Sequence, residues 1–335
     1  MKQTLSKKQR HIKRVSISLI AAVLSYVIFS MAGSVIVFQI IFARSDTVNA
    51  FELTYDDLGS SRLPREEFFF DSGGNRLRGV VYSPKGRSAG LVLVLNGMHA
   101  CIDRHLPEIL YFTDHGFTAV TFENTGVGQS EGGSSVGLTQ ARLDTAAAIA
   151  HIRRDDVLGK LPLVLYGHSL GGYAAATALF DSPDIRAAVC VSGFDSPNEN
   201  MYYNAKSRVG VLADIQYPFM CLQNYFLFGD KSDTSAVSAI NATDTPVMIV
   251  GGDSDETVPD AISILHKADK ITNPNAVTLK IEEAYRGEHS TAWLSRDAAE
   301  YVVTAENPTD KTRANKLDEG FMQTVMQFFE KAVAG

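Results

Sequence analysis

The sequence predicts an α/β fold with a mostly parallel sheet, helices on both faces, an antiparallel hairpin at the start and a small helical cap. Three observations predict it. Apolar strand-like runs alternate with segments of helical spacing. One such strand runs through a glycine-rich turn into a helix at Gly167–Gly172. Ahead of all this stands one long uncharged segment, which predicts a single membrane-spanning helix.

That segment, Val15 to Ala43, holds 29 residues without a charge. About 20 suffice to cross the apolar core of a bilayer, so the run is long enough to cross with tilt. Lys2, Lys7, Lys8, Arg10, Lys13 and Arg14 precede it, whereas Arg44 and then Asp46, Glu52, Asp56 and Asp57 follow. The excess of basic residues before the span places the N-terminus in the cytoplasm and the rest beyond the cell membrane. The expected organisation is a basic tail over 1–14, a single-pass helix over 15–43, a polar linker over 44–64 and a globular domain over 65–335. A cleaved signal sequence is the alternative, with Val48-Asn49-Ala50 as a small-residue site, but the apolar run is about twice the usual length. Gly33 and Ser34 read as ordinary small residues, because no G-x-x-x-G is present.

Beyond the span, roughly 285 residues remain, enough for one large α/β domain. A composition of 45% hydrophobic and 21% charged residues is that of a globular chain, which excludes long disorder. Residues 1–50 carry seven Lys or Arg against one acid, so the chain's net −7 leaves the remainder strongly acidic. That disfavours nucleic acid as a partner. The partners expected are a small-molecule ester or short acyl or peptidyl substrate, and the lipid bilayer. Three cysteines make no disulfide framework, although a bond between Cys101 and Cys221 is conceivable. Cys190, in the run AAVCVSG, reads as a core thiol. No His/Cys cluster has metal-ligand spacing, and neither a metal nor a cofactor is expected.

Along the domain, Glu66 to Tyr82 reads as a hairpin turning at Ser72-Gly73-Gly74-Asn75. Ala89 to Asn96 is a continuous apolar run, as a strand buried on both faces requires. Leu106 to Gly116 is a short helix, Phe117 to Phe122 a strand, Asn124 to Gly133 a glycine-rich loop, and Thr139 to Arg154 a helix. Strands follow at Leu161–Tyr166, Ile185–Ser192, Pro246–Val250 and Ala276–Ile281, with right-handed crossovers between parallel neighbours. The aromatic-rich stretch of about 195–245 breaks this rhythm and reads as the cap. Within it Tyr217 and Phe219 are candidate substrate contacts, since an insertion there would overhang the C-terminal ends of the strands.

The chemistry points to Gly167-His168-Ser169-Leu170-Gly171. A serine on a sharp strand–helix turn has its hydroxyl exposed, and small residues two positions either side prevent clashes. The hydroxyl is a poor nucleophile until a base removes its proton. His289, in Gly287-Glu288-His289-Ser290 just past the last expected strand, fits that role. His266 reads as a helix-surface residue, and His168 points elsewhere on the turn. Asp255 is the favoured carboxylate to orient the imidazole, with Asp253 and Asp195 as alternatives. The oxyanion of an attacked carbonyl needs two N–H donors, for which the amides of Leu170 and Met98 stand in the expected loops.

Taken together, these marks resemble the α/β-hydrolase superfamily over about residues 64–333. Within it the chain is similar to bacterial membrane-anchored hydrolases and to the dipeptidyl-peptidase-like group of serine hydrolases. The shared stretches are Gly73–Leu77, Asn96-Gly97-Met98, Gly126-Val127-Gly128-Gln129-Ser130, the serine turn, Asp255–Pro259 and Gly287–His289. The family often has His where Asn96 stands, and Asp-x-Arg where Asn124 and Thr125 lead into the glycines. The first departure keeps the loop's backbone donor. The second removes a structural ion pair but leaves the order Ser169, Asp255, His289 intact. The expectation is therefore a membrane-anchored serine hydrolase that cleaves carboxylic esters through an acyl-enzyme. A peptidase, amidase or acyltransferase on the same residues is the alternative, and a catalytically silent binding module is the reading from another class.

Overall fold

The computed structural model describes residues 6–46, 48–61 and 63–334. The first five residues of the expected basic tail, Lys2 among them, and Thr47 and Arg62 of the expected linker lie outside the described residues, as does Gly335.

One helix, α1 (Lys7–Ile41), covers the end of the basic tail and nearly all of the uncharged segment. Ser6 caps it, its side chain accepting from the Gln9 amide while the Gln9 side chain returns the bond. The segment read as a linker lies along the domain surface. Arg44 donates to the carbonyls of Ser130 and Gly132 at 2.9 and 3.0 Å, and Ser45 pairs with Val127. Farther on, Glu52 pairs with Arg104 at 2.8 Å.

Eight strands form a single sheet: β1 (Arg65–Ser72), β2 (Asn75–Tyr82), β3 (Leu91–Leu95), β4 (Thr118–Phe122), β5 (Leu163–His168), β6 (Ile185–Val191), β7 (Val247–Gly252) and β8 (Ala276–Ile281). They lie in the order β1-β2-β4-β3-β5-β6-β7-β8. The hairpin β1–β2 is antiparallel and joins β4 antiparallel; every other pairing is parallel. Gly73 and Gly74 make the hairpin turn with φ of 60° and 86°, which side chains with a Cβ rarely adopt. The central strands β3, β4 and β5 are buried at every residue, so neither face shows polar alternation.

Helices cover both faces. The α2 (Leu106–Asp114) and α10 (Glu319–Ala334) side packs Leu106, Phe112, Val325 and Phe329 against one face. The α3 (Gln140–Arg154) and α4 (Leu170–Asp181) side packs Ile149, Tyr173 and Ala175 against the other. Between β6 and β7 come α5 (Pro197–Val209), α6 (Val211–Phe228) and the short α7 (Ala236–Asn241). The first two stand out from the body as the cap. By contrast α7 buries Ala236, Val237, Ala239 and Ile240 in the main core beside α4, so the overhanging part is shorter than 195–245. After β8 come α8 (Arg296–Thr304) and the four-residue α9 (Lys311–Ala314) before α10.

Candidate active site

Ser169 stands between β5 and α4 with φ 58° and ψ −118°, a backbone conformation that a residue with a side chain adopts only under strain. The surrounding glycines make the turn possible. A Cβ on Gly167 would lie 2.1 Å from the Gly171 carbonyl oxygen, and one on Gly171 would lie 2.0 Å from that of Leu95. Both contacts are with backbone, which cannot swing aside.

Around this turn three of the sequence's candidates converge. Ser169 Oγ lies 2.8 Å from His289 Nε2. On the other side of the ring, His289 Nδ1 lies 2.8 Å from Asp255 Oδ2 and 3.0 Å from Oδ1. Asp255 is buried and its Oδ1 also accepts from the amides of Thr257 and Val258 at 3.0 and 2.8 Å. Those bonds hold the carboxylate in one orientation. The arrangement can pass the Ser169 proton to Nε2 while the carboxylate steadies the charge formed on the ring.

The other candidate acids have other partners. Asp253 is exposed and accepts from the Ser254 hydroxyl at 3.0 Å. Asp195 accepts from Ser235 Oγ, the Val237 amide and Lys267 Nζ, at 2.7, 2.9 and 2.9 Å. Burial alone would raise its pKa, but these three donors outweigh that and hold its carboxyl below the usual range. It ties the start of α7 to the body of the fold. His266 is exposed and pairs with Asp260 at 3.0 Å, away from the serine.

For the oxyanion, Leu170 opens α4, and Met98 lies in a turn packed on the serine. A Cβ built on Gly97 would be 3.5 Å from Ser169 Cβ. Among the described residues neither the Leu170 nor the Met98 amide donates to a backbone carbonyl.

A cavity of about 340 Å³ opens beside Ser169. Met98, Leu170, Phe194, Met201 and Met220 line it, and so do Val37, Phe38, Ile41 and Phe42 from the end of the apolar N-terminal segment. A larger depression, about 740 Å³, lies at the opposite edge of the sheet, where β6 and β8 begin, and contains none of the converging residues. The cavity corrects one expectation. Neither Tyr217 nor Phe219 lines it; α6 turns Ala213, Gln216 and Met220 inward instead, at helical spacing. Phe219 packs edge-on against Tyr26 of α1 at 5.4 Å, and Tyr217 lies 4.8 Å from Tyr202.

Other residues of the site were missed in the sequence. Seen afterwards, Ser30, Ser34, Phe38 and Phe42 recur every fourth residue, a stripe that points one face of α1 at the protein. His168, read as pointing elsewhere, is buried and its Nε2–H donates to the His289 carbonyl at 2.8 Å. It thereby holds the loop that carries His289. Burial, with His289 and His105 close by, pushes its pKa well below the ordinary value, so the ring stays neutral. Behind it His105 and Glu108, both fully buried, share a 2.7 Å bond, and Trp293 packs against both His168 and His105. The conceivable disulfide is absent, since none of Cys101, Cys190 and Cys221 is joined to another cysteine. Burial pushes the Cys101 thiol up to about 11, with nearby Glu123 and Glu52 adding to the effect. Among the described residues no group of three or more His, Cys, Asp or Glu is placed to hold a metal ion.

Solved structures share this fold. An esterase of Pyrococcus furiosus superposes with a TM-score of 0.59 at 16% identity, covering 87% of this chain and 98% of that one. The chain has the α/β-hydrolase fold. An acetyl xylan esterase of Thermoanaerobacterium shares it with a TM-score of 0.55 at 14% identity, over 87% of each chain. So does the Butyrivibrio proteoclasticus protein Est1E, solved with ferulic acid, with a TM-score of 0.54 at 15% identity over 80% of this chain and 100% of that one. The family model described as serine aminopeptidase, S33, matches residues 86–221 of this chain. A search of curated proteins found no match.

Proposed function

We propose that this α/β-hydrolase cleaves carboxylic esters through an acyl-enzyme on Ser169. The observation that carries this reading is the continuous chain of short contacts from Asp255 through His289 to Ser169 Oγ. His289 takes the serine proton as Oγ attacks the ester carbonyl, and the amides of Leu170 and Met98 receive the oxyanion. The imidazolium, steadied by Asp255, then protonates the departing alcohol. Water, deprotonated by the same ring, attacks the acyl-serine, and the ring returns the proton to Ser169 as the acid leaves. The esterase folds among the neighbours support an ester as substrate.

Peptide cleavage is the second reading, because the matching family model is that of serine aminopeptidases. An aminopeptidase must hold a free α-ammonium, and a carboxylate is the natural partner. Among the described residues lining the cavity there is no Asp or Glu. That favours the ester.

We further infer that the N-terminal helix is retained as a membrane anchor, with the basic tail in the cytoplasm. The helix is apolar enough to cross a bilayer, with mean hydropathy 2.2 over its best window. Its end supplies cavity wall at Phe38 and Phe42, so cleavage after Ala50 would strip that wall away. N-terminal sequencing of the mature protein tests this, and a start near Phe51 would refute it.

The catalytic reading is tested on the full-length protein with p-nitrophenyl esters beside aminoacyl-anilides. Ser169→Ala and His289→Ala should each cut kcat by about 10⁴ and should not add when combined. Asp255→Asn should be nearly as damaging. Asp195→Asn should cost stability while leaving the kcat of the folded protein near the parent's. If Asp195→Asn or Asp253→Asn cripples kcat instead, the acid assignment is wrong. Preference for the anilides would return the function to the peptidase reading.

A further inference from the structure

The anchor and the cap are not separate devices. Gln216 of α6 donates through Nε2 to the Ser30 carbonyl and to Ser34 Oγ, at 2.6 and 2.7 Å. One turn earlier along α1, Tyr26 donates to the Ile215 carbonyl at 3.4 Å and meets the Phe219 ring edge-on. At the other end, Phe228 of α6 and Phe38 of α1 both approach Gly137. The two helices therefore run side by side in the same direction, and the start of α6 lies beside the middle of α1.

That placement fixes where the cap is relative to a bilayer. Arg14 is the last charge before the apolar run, and Tyr26 follows it by only twelve residues, about 18 Å of helix. The hydrocarbon layer is about 30 Å thick, so Tyr26 lies about 12 Å below its outer boundary, and deeper if α1 tilts. Whatever packs on Tyr26 shares that depth. What packs there is the tip where α5 turns into α6, and beside the exposed Ser207 and Arg208 it turns four apolar side chains outward: Val209, Val211, Leu212 and Ile215 are between 49% and 66% exposed. The nearest acid, Asp214, is neutralised by Lys206 and also accepts from Tyr202. An amphipathic surface of this kind settles at the boundary of headgroups and acyl chains.

The cavity adjoins this tip. Val37, Ile41 and Val209 line it and are also partly exposed. Val37 and Ile41 follow Arg14 by about 35 and 40 Å of helix, so this side of the cavity stands at the level of the lipid headgroups, just above the embedded tip. Met98 and Thr257 line it and are exposed on the side of the serine. We propose that the α5–α6 tip is embedded in the outer half of the same bilayer that α1 crosses, and that the cavity takes its ester from that bilayer. The substrate class is a membrane-resident lipid ester, with the acyl chain entering between Val37, Ile41 and Val209 and the carbonyl reaching Ser169. Hydrolysis would consume one water and yield a fatty acid and the deacylated lipid alcohol. This rests on the ester hydrolase reading and on retention of α1.

The test uses full-length protein in phosphatidylcholine nanodiscs, with dioleoylglycerol in the bilayer and p-nitrophenyl acetate in the water. Val211→Asp with Leu212→Asp, neither in the cavity lining, should lower dioleoylglycerol turnover at least about tenfold and leave p-nitrophenyl acetate turnover within about twofold of the parent. In parallel, the added emission of Leu212→Trp should be quenched by phospholipids brominated in their chains and not by iodide. Quenching by iodide alone, or lipid turnover indifferent to the two aspartates, would overturn the proposal. A parent that hydrolyses neither ester would sink the hydrolase reading, and the quenching would still decide whether the tip is in lipid.

Discussion

The cavity at Ser169 has two walls built on different principles. On the sheet side the wall is backbone against backbone: Gly167, Gly171 and Leu95 approach so closely that no Cβ fits between them, and β5 and α4 hold Ser169 in its strained conformation. On the opposite side the wall is side chains of two helices, α1 and α6, joined through Gln216 and a few ring contacts. The first wall tolerates no variation because a clash between backbones cannot relax. The second is side chain against side chain, with Phe38, Phe42 and Met220 buried and Val37 and Ile41 partly exposed. A change there can be met by repacking of its neighbours rather than by a shift of backbone. One wall sets the position of Ser169; the other sets what fits beside it.

This contrast predicts a graded series. Gly171→Ala should cost the most, about 3 kcal/mol or more, because the new Cβ meets the Leu95 carbonyl oxygen at 2.0 Å. Thermal unfolding will show it as a large drop in Tm or as failure to accumulate folded protein. A variant that melts near the parent would mean the elbow is more compliant than the geometry says.

Next comes His168, which links the elbow to the loop of His289. Its pKa is depressed in the folded protein, chiefly by burial, while the unfolded chain binds a proton near pH 6.5. Below that pH the unfolded state holds more protons, so stability falls as pH falls, by about 1.4 kcal/mol per unit for this group. His168→Gln can still donate to the His289 carbonyl but does not titrate. Urea unfolding between pH 6.5 and 5 should therefore show a shallower loss than in the parent, and equal slopes would contradict the assignment.

The smallest effect belongs to the helical wall. Phe219→Ala removes one edge-on pair with Tyr26, worth about 0.5–1.5 kcal/mol beyond the area it covers. Turnover of short soluble esters should not change, since Phe219 does not line the cavity. A marked fall in kcat/KM for p-nitrophenyl acetate would put this ring back among the substrate contacts.

Legibility in the sequence follows the same division. The elbow was readable because close backbone approach demands glycine at set distances from the serine, so Gly167, Ser169 and Gly171 carry the signal in five consecutive residues. Asp255 and His289 were readable because each follows a recognisable strand, β7 and β8. The strands themselves were legible as apolar runs, since burial on both faces leaves no room for polar alternation. The placement of Tyr217 and Phe219 was not. An aromatic on an amphipathic cap helix has the same composition whether it faces a cavity, solvent or another helix, and only the rotation of α6 against α1 turned Ala213, Gln216 and Met220 inward.

The sequence by itself determined the strand order's local pieces, the serine turn and an apolar segment long enough to cross a membrane, because each is written in contiguous residues of fixed spacing. Only the tertiary structure decided that the end of this segment is also a wall of the cavity. An unbroken apolar run hides which of its faces meets protein, because lipid and a protein interior both accept the same side chains. The contacts of Ser34 and Phe38 with partners more than ninety residues away supplied that choice.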